Sequence, residues 1–303
     1  MAGGAGAEPM ARRHPIRRAF LILAVGVVGL IALAAVAVVK RSLGDRPLFG
    51  NSLAVIDIRG VINDATDTVE ALERYRMQDA TVAVVLRIDS PGGAVAPSQE
   101  IYDAVWRLRE KKPVIASLGN VAASGGYYVA SAANRIVADP GTITGSIGAI
   151  MTVPYYAPLA EKIGFSEETV KSGRFKDTGH PLRHLSPDER SLLQGMVDEV
   201  LGQFVDAVAR GRGMPPARVR GLADGRVYAG TQALAVGLVD RLGGLDLATR
   251  LAWEDAHQPG EPRVERVRER RLPRLLQLLG SLVGESPLSS GGLLFLYLGP
   301  VPQ

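Results

Sequence analysis

At 303 residues with 47% hydrophobic side chains, the chain is long enough to bury a sizeable core in one or two domains. Its 35 Lys and Arg against 31 Asp and Glu leave a formal charge of +4, and no arginine stripe with interleaved aromatics appears, which argues against a nucleic-acid partner. There is no cysteine, so thiol catalysis, Cys-ligated zinc and disulfides are excluded, while either redox compartment stays compatible.

Residues 1–18 read as a basic leader containing Arg12, Arg13, Arg17 and Arg18. Residues 19–39 follow as an uninterrupted apolar and small-residue run, long enough as a helix to cross a hydrocarbon core, and Lys40 and Arg41 close it. Four arginines before the run against two basic residues after it favour an N-terminus on the inside. A cleaved signal peptide is the alternative, because Ala32-Leu33-Ala34 and Ala35-Val36-Ala37 resemble cleavage sites. The apolar region of such a peptide is normally roughly 7–15 residues, so the longer run here favours a retained transmembrane anchor. Everything beyond it is then expected outside the cytoplasm. Residues 40–51 form a linker with Gly44 and Pro47.

From Leu53 the pattern becomes α/β. Residues 53–58 and 82–88 are apolar, β-branched runs of strand length, and residues 66–78 between them have helical spacing. A second helix, 97–110, places Ile101, Val105 and Leu108 on one face; residues 114–117 and 136–138 read as further strands. Such alternation predicts a largely parallel sheet flanked by helices. The clearest helix begins at Ser186-Pro187-Asp188-Glu189, with Ser186 as N-cap, Pro187 in the first turn and Glu189 closing a capping box. Leu192, Leu193, Met196, Val197, Val200, Phe204, Val205 and Val208 then form an apolar stripe ending near Gly211. A core-facing helix explains the stripe, and its width also allows packing against a neighbouring subunit. Beyond Trp253, residues 263–271 are charged, 275–283 amphipathic, and 293–298 apolar but too short to span a bilayer. That last run has three open uses: covering part of the core, touching a membrane surface, or adding an edge strand.

Three stretches carry chemistry. Ala122-Ala123-Ser124-Gly125-Gly126-Tyr127-Tyr128 places one hydroxyl among small residues where a strand would hand over to a helix. A nucleophilic serine needs such a sharp turn and such room for a peptide carbonyl. If 127–133 is helical, its free N–H groups lie close to Ser124. The same string also fits a close-packed helix start without chemistry. In Ile88-Asp89-Ser90-Pro91-Gly92-Gly93, a Gly-Gly pair after a buried strand can turn a backbone N–H outward, as an oxyanion hole requires, or can be a plain turn. It lacks the Lys-Ser or Lys-Thr of a phosphate loop. For the base, His14 and His257 lie at the two ends, and His180 and His184 sit in a polar, proline-containing stretch suited to the surface. Lys176, in Lys171-Ser172-Gly173-Arg174-Phe175-Lys176-Asp177, serves only if it loses its proton, which for a lysine of ordinary pKa about 10.4 calls for burial. Phe175 and the nearby glycine allow that loop to dock into an apolar site. Ser146, in Thr144-Gly145-Ser146-Ile147-Gly148, is either an auxiliary hydroxyl for the amine or a turn serine.

In this order, the pieces resemble the signal peptide peptidase A family, the bacterial protease IV serine peptidases. The matching stretches are Asp89–Gly93, Ala122–Tyr128, Thr144–Gly148 and Lys171–Asp177, followed by Gly211-Arg212-Gly213-Met214, by Ala223–Tyr228 and by Gly237-Leu238-Val239-Asp240. The resemblance covers residues 52–252, which it marks as the catalytic domain, in the short single-unit form; residues 253–303 become an amphipathic tail. The resemblance implies an α/β spiral of the Clp protease and crotonase superfamily. It implies Ser124 as nucleophile and Lys176 as general base. Gly93, with Gly125, would supply the oxyanion hole, and Ser146 would hydrogen-bond the lysine. No cofactor or metal is implied. The implied setting is a bacterial cytoplasmic membrane, with a ring- or dome-shaped homo-oligomer on its outer side acting on signal-peptide remnants and other small apolar peptides. In such a ring, the amine that meets Ser124 is free to come from the adjacent subunit. Two rival readings keep the fold: a crotonase-like acyl-CoA enzyme, which has little use for a Ser–Lys pair, and an inactive membrane scaffold.

Overall fold

The computed structural model describes residues 50–266, the backbone of residues 294–296, and Gly26 and Gly29. Apart from those two glycines, the expected anchor lies outside the described residues, as does the amphipathic run 275–283. Among the described residues no helix is long and apolar enough to cross a membrane. The chain divides into residues 1–48 and 49–303, and all elements below belong to the second unit.

Alternating apolar side chains explain the sheet. Strand β1 (Ser52–Arg59), helix α1 (Thr66–Met77) and strand β2 (Thr81–Ser90) make one βαβ unit, paired in parallel from Ala54↔Val84 to Arg59↔Asp89. A short β3 (Gly92–Ala94) and helix α2 (Val95–Arg109) lead into β4 (Val114–Ala123), again parallel to β2. Ala54, Ile56, Ile58, Val84, Leu86 and Ile88 point to one face. Leu53, Val55, Ala83 and Val85 point to the other. Both faces are covered, which is why these strands read as continuous apolar runs. The first face packs against α1, α2, α3 (Gly125–Ser131) and, from further along the chain, residues 200–209. The second packs against Ala248, Leu251, Ala252 and Trp253 of the last helix.

Strand β4 splits its partners. Its first half pairs with β5 (Arg135–Ala138) and its last residues, Val121–Ala123, pair with β6 (Ile143–Gly145). After β6 the chain leaves the sheet for a long excursion that holds only the short helix α4 (Ala157–Lys162) before α5 (Pro187–Arg212). It then returns through α6 (Pro216–Arg220), β7 (Val227–Ala229), α7 (Gly230–Val236), β8 (Arg241–Leu242), α8 (Leu245–Asp255) and β9 (Val264–Arg266). The order is β7-β6-β4-β2-β1-β9, with β5 and β8 branching from β4; β7 alone in this sheet runs antiparallel. Residues 294–296 form β10, antiparallel to β3. The fold is a mixed α/β one built on a largely parallel sheet, as expected.

Three expectations change in detail. The helix expected over 127–133 runs over Gly125–Ser131, because the chain turns at Ser124 itself. Helix α5 carries the full capping box at Ser186 and Glu189, and ends on Gly213 in the left-handed region at φ 61° rather than near Gly211. Its stripe is split: Val200, Phe204, Val205 and Val208 are buried, whereas Leu192 and Met196 are exposed.

Candidate active site

Ser124 occupies the turn between β4 and α3. Its backbone has φ 53° and ψ −121°, a left-handed conformation that a side chain disfavours. Its N–H donates to the Gly145 carbonyl at 2.8 Å, and its own carbonyl accepts from the Tyr128 N–H at 2.8 Å, so both sides of the turn are held. The hydroxyl makes no helix-capping bond. A strained strand-to-helix elbow that presents a serine is the geometry a nucleophile needs. Ser124 is only 1% exposed in the single chain.

The Asp89–Gly93 turn lies against this elbow. Ser90 pairs with Ala122, two residues before Ser124, and its Oγ accepts the Gly92 N–H at 3.1 Å. A Cβ on Gly126 would lie 2.9 Å from the Ser90 carbonyl oxygen, so the first turn of α3 packs directly on this segment. The Asp89 carboxylate accepts the Val121 N–H at 3.1 Å, tying the two strand ends together. Gly93 has no room for a side chain, since a Cβ there would sit 2.1 Å from the Ile62 carbonyl oxygen. Ile62 donates to the Gly92 carbonyl and accepts from the Ala94 N–H. Strand alternation therefore turns the Gly93 N–H to the opposite edge. Gly125 opens α3, where the first N–H groups have no intrahelical partner.

Ser146 adjoins the elbow through Gly145, whose carbonyl holds the Ser124 N–H. Ser146 is buried and also has positive φ, 51°, and its N–H donates to the Arg226 carbonyl at 2.8 Å. The structure thus brings Ser124, Gly125 and Ser146 together around the ends of β4 and β6, with the Gly93 turn packed on the same β4 end.

Lys176 is not brought to them. It is exposed, lies in a turn of the 150–186 excursion, and makes no hydrogen bond to Ser124. Among the described residues, no ion pair involves Lys176. The turn itself is firmly built. Asp177 accepts from Lys171 at 2.6 Å and pairs with Arg183 at 3.0 Å; Arg183 also bridges to Glu189 at 2.6 Å. Hydrogen bonds from Arg183 and from the Ser186 N–H hold the Glu189 carboxyl far below the ordinary carboxylate range. Those from Lys171 and Arg183 hold Asp177 below it as well. His180 faces Glu167 and accepts from the Leu182 N–H, and His184 stacks on Tyr155, so neither histidine reaches Ser124.

Two later motifs act from behind. The Tyr127 hydroxyl donates to the Leu238 carbonyl at 2.8 Å, and complete burial pushes this phenol well above its usual range. Arg212 pairs with Asp240, which also accepts the Ile136 N–H at 2.7 Å. A Cβ on Gly211 would lie 1.9 Å from the Ser131 carbonyl oxygen, so α5 rests directly on the end of α3. The Arg212–Asp240 and Tyr127–Leu238 links fix the helix that carries the elbow. The sequence offered both motifs only as parts of a resemblance; Ser90 and Asp89 carried no signal beyond their place before Gly92.

Comparison with known proteins decides the family. The model of Peptidase family S49 matches residues 107–258, half of the chain, and that of Clp protease matches residues 53–140. The chain belongs to peptidase family S49. A Synechocystis protein named as a candidate protease is 46% identical over 193 residues, covering 63% of this chain and 69% of that one. The Arabidopsis thaliana protein named serine protease SPPA, chloroplastic, is 39% identical over 224 residues, 72% of this chain and 33% of that one. Protease 4 of Haemophilus influenzae is 33% identical over 225 residues, 71% of this chain and 36% of that one. The chain thus spans about a third of the length of the latter two. Membership makes it a peptidase and sets the acyl-CoA alternative aside.

Proposed function

We propose that this chain is a membrane-anchored serine endopeptidase in which Ser124 is the nucleophile and Lys176 of an adjacent copy is the general base. The observation that carries the reading is the buried serine held at φ 53° between β4 and α3, in a chain of family S49. Pairing between copies is supported by the exposure of Lys176 and by its lack of contact with Ser124 within one chain. It is further supported by apolar side chains left in water around the lysine turn: Leu159, Ile163, Phe165, Val170 and Phe175. A second copy covering them would also remove water from the amine.

In the proposed reaction, the neutral Lys176 amine takes the Ser124 proton as Oγ bonds to a peptide carbonyl. The Gly93 and Gly125 N–H groups hold the resulting oxyanion, and Ser146 orients the amine. Lysine then returns the proton to the departing amine, leaving an acyl-enzyme. Water, deprotonated by the same lysine, releases the acid and restores Ser124. The substrates proposed are signal-peptide remnants and other small apolar peptides. An anchor at residues 19–39 in the bacterial cytoplasmic membrane, N-terminus inside, would confine enzyme and substrate to one surface and raise their effective concentration.

The test uses two inactive chains. Ser124→Ala and Lys176→Ala should each abolish hydrolysis of an apolar fluorogenic peptide. Assembled together in equal amounts, they should regain about a quarter of the parent activity, because random neighbours leave that share of sites whole. Activity in either variant alone removes the dyad. A silent mixture, with both variants folded and co-assembled, places the pair within one chain.

A further inference from the structure

Strands β2 and β4 do not keep one register to their ends. Ile88 pairs with Leu118 but Ser90 pairs with Ala122, so the single residue Asp89 faces Gly119, Asn120 and Val121. This bulge is also where β4 changes neighbour, from β5 at Leu118 to β6 at Val121. Backbone groups in and beside a bulge lose ladder partners, and here side chains replace them. Arg87 Nη1 donates to the Leu118 carbonyl at 3.0 Å and to Ser117 Oγ at 2.9 Å. Thr142 Oγ1 donates to the Gly119 carbonyl at 2.8 Å, and the Val121 N–H donates to Asp89 Oδ1 at 3.1 Å. The Asp89 side chain lies over Gly119, where an added Cβ would sit 2.9 Å from the Asp89 Cβ and Cγ.

We propose that Asp89 is a positioning residue: by holding the β4 end beyond the bulge, it sets the spacing between the proposed nucleophile and the proposed oxyanion donor, while Arg87 and Thr142 brace the near side. The proposal deepens the peptidase reading and rests on it. Gly93 lies four residues beyond Asp89 on one segment, and Ser124 lies three beyond Val121 on the other. The Asp89–Val121 bond therefore joins the two segments just before both groups. A regular ladder would otherwise fix their spacing, but it is broken at the bulge, and the one register pair left beyond it is Ser90↔Ala122. Reacting groups tolerate little displacement, since a shift of about 1 Å can cost on the order of a hundredfold in rate. The position needs an acceptor oxygen rather than a charge, because Asp89 makes no ion pair among the described residues.

The test compares Asp89→Ala and Asp89→Asn with the parent, each as the full chain. Asp89 is exposed, so truncation opens no cavity, and asparagine keeps the acceptor oxygen that alanine lacks. Amide hydrogen exchange across residues 119–123 should run about tenfold faster in Asp89→Ala, with residues 83–86 unchanged, while Asp89→Asn keeps the parent's protection. On an apolar fluorogenic peptide, kcat should fall about tenfold to a hundredfold in Asp89→Ala at a KM within about twofold of the parent, and Asp89→Asn should keep at least about a third of the parent kcat. An alanine variant with parental exchange or parental kcat overturns the proposal. An asparagine variant that falls as far as alanine overturns it too, by assigning the role to the charge. A raised KM at constant kcat does the same, by placing Asp89 on the substrate. If exchange responds as expected but the parent hydrolyses nothing, the tie across the bulge stands and the peptidase reading falls.

Discussion

Replacing Ser124 tests the strained elbow without reference to substrate. Ser124→Ala and Ser124→Gly both delete the hydroxyl, so their difference isolates the backbone. At φ 53° and ψ −121°, any side chain costs about 1–3 kcal/mol, and glycine removes that cost. Glycine also loosens the unfolded chain, which takes back about 0.4–1 kcal/mol. The net is roughly 1 kcal/mol in favour of glycine. For a domain near 200 residues this raises the melting temperature by about 2–4 °C. Thermal unfolding of the two variants by circular dichroism at one scan rate reads the difference directly. An alanine variant that melts at or above the glycine variant would refute the strained turn and, with it, the structural case for a nucleophile at this position.

Two further outcomes follow from the surroundings of the elbow. Arg212→Ala should destabilise the domain by about 3 kcal/mol, since the Arg212 side chain is only 6% exposed and its loss leaves Asp240 without its cation. Because Asp240 is a third exposed, the lower end of the range for broken buried pairs applies; a variant melting within a degree of the parent would contradict this. The lysine turn should resist acid. Glu189 and Asp177 have depressed pKa values, so their stabilisation is complete above the unfolded value of about 4 and fades only as pH falls toward the lower folded values. Limited proteolysis of residues 174–190 should therefore stay slow down to about pH 4 in the parent, and quicken at higher pH in Arg183→Gln. Identical pH profiles would show that the Arg183 bridges do not hold the turn.

Periodicity made the strands β1, β2, β4 and β5 and the helices α1, α2 and α5 legible, because each buries a wide apolar face. The strands β3, β6, β7 and β8 were not legible: each has two or three residues, too few for any period, and Gly92–Ala94 has almost no side chains to alternate. The site split along the same line. Ser124 and Gly93 could be proposed from small-residue turns, because close backbone approach leaves a mark in composition. The clamps behind the elbow could not, since Tyr127 meets Leu238 and Arg212 meets Asp240 across 111 and 28 residues. Nor does a single sequence say that Ser124 would be buried and Lys176 left in water.

That separation gives the proposed chemistry its order of assembly. One chain holds the proposed nucleophile's turn and the proposed oxyanion donors together, because β2, β4, β6 and α3 lock one another through backbone bonds and packing. The proposed base rides on a separate, exposed turn, held by the Lys171 and Arg183 bonds to Asp177 and by the Arg183 bridge to Glu189. On the proposed reading a lone chain is inert, and activity requires a partner that both delivers the amine and dries it.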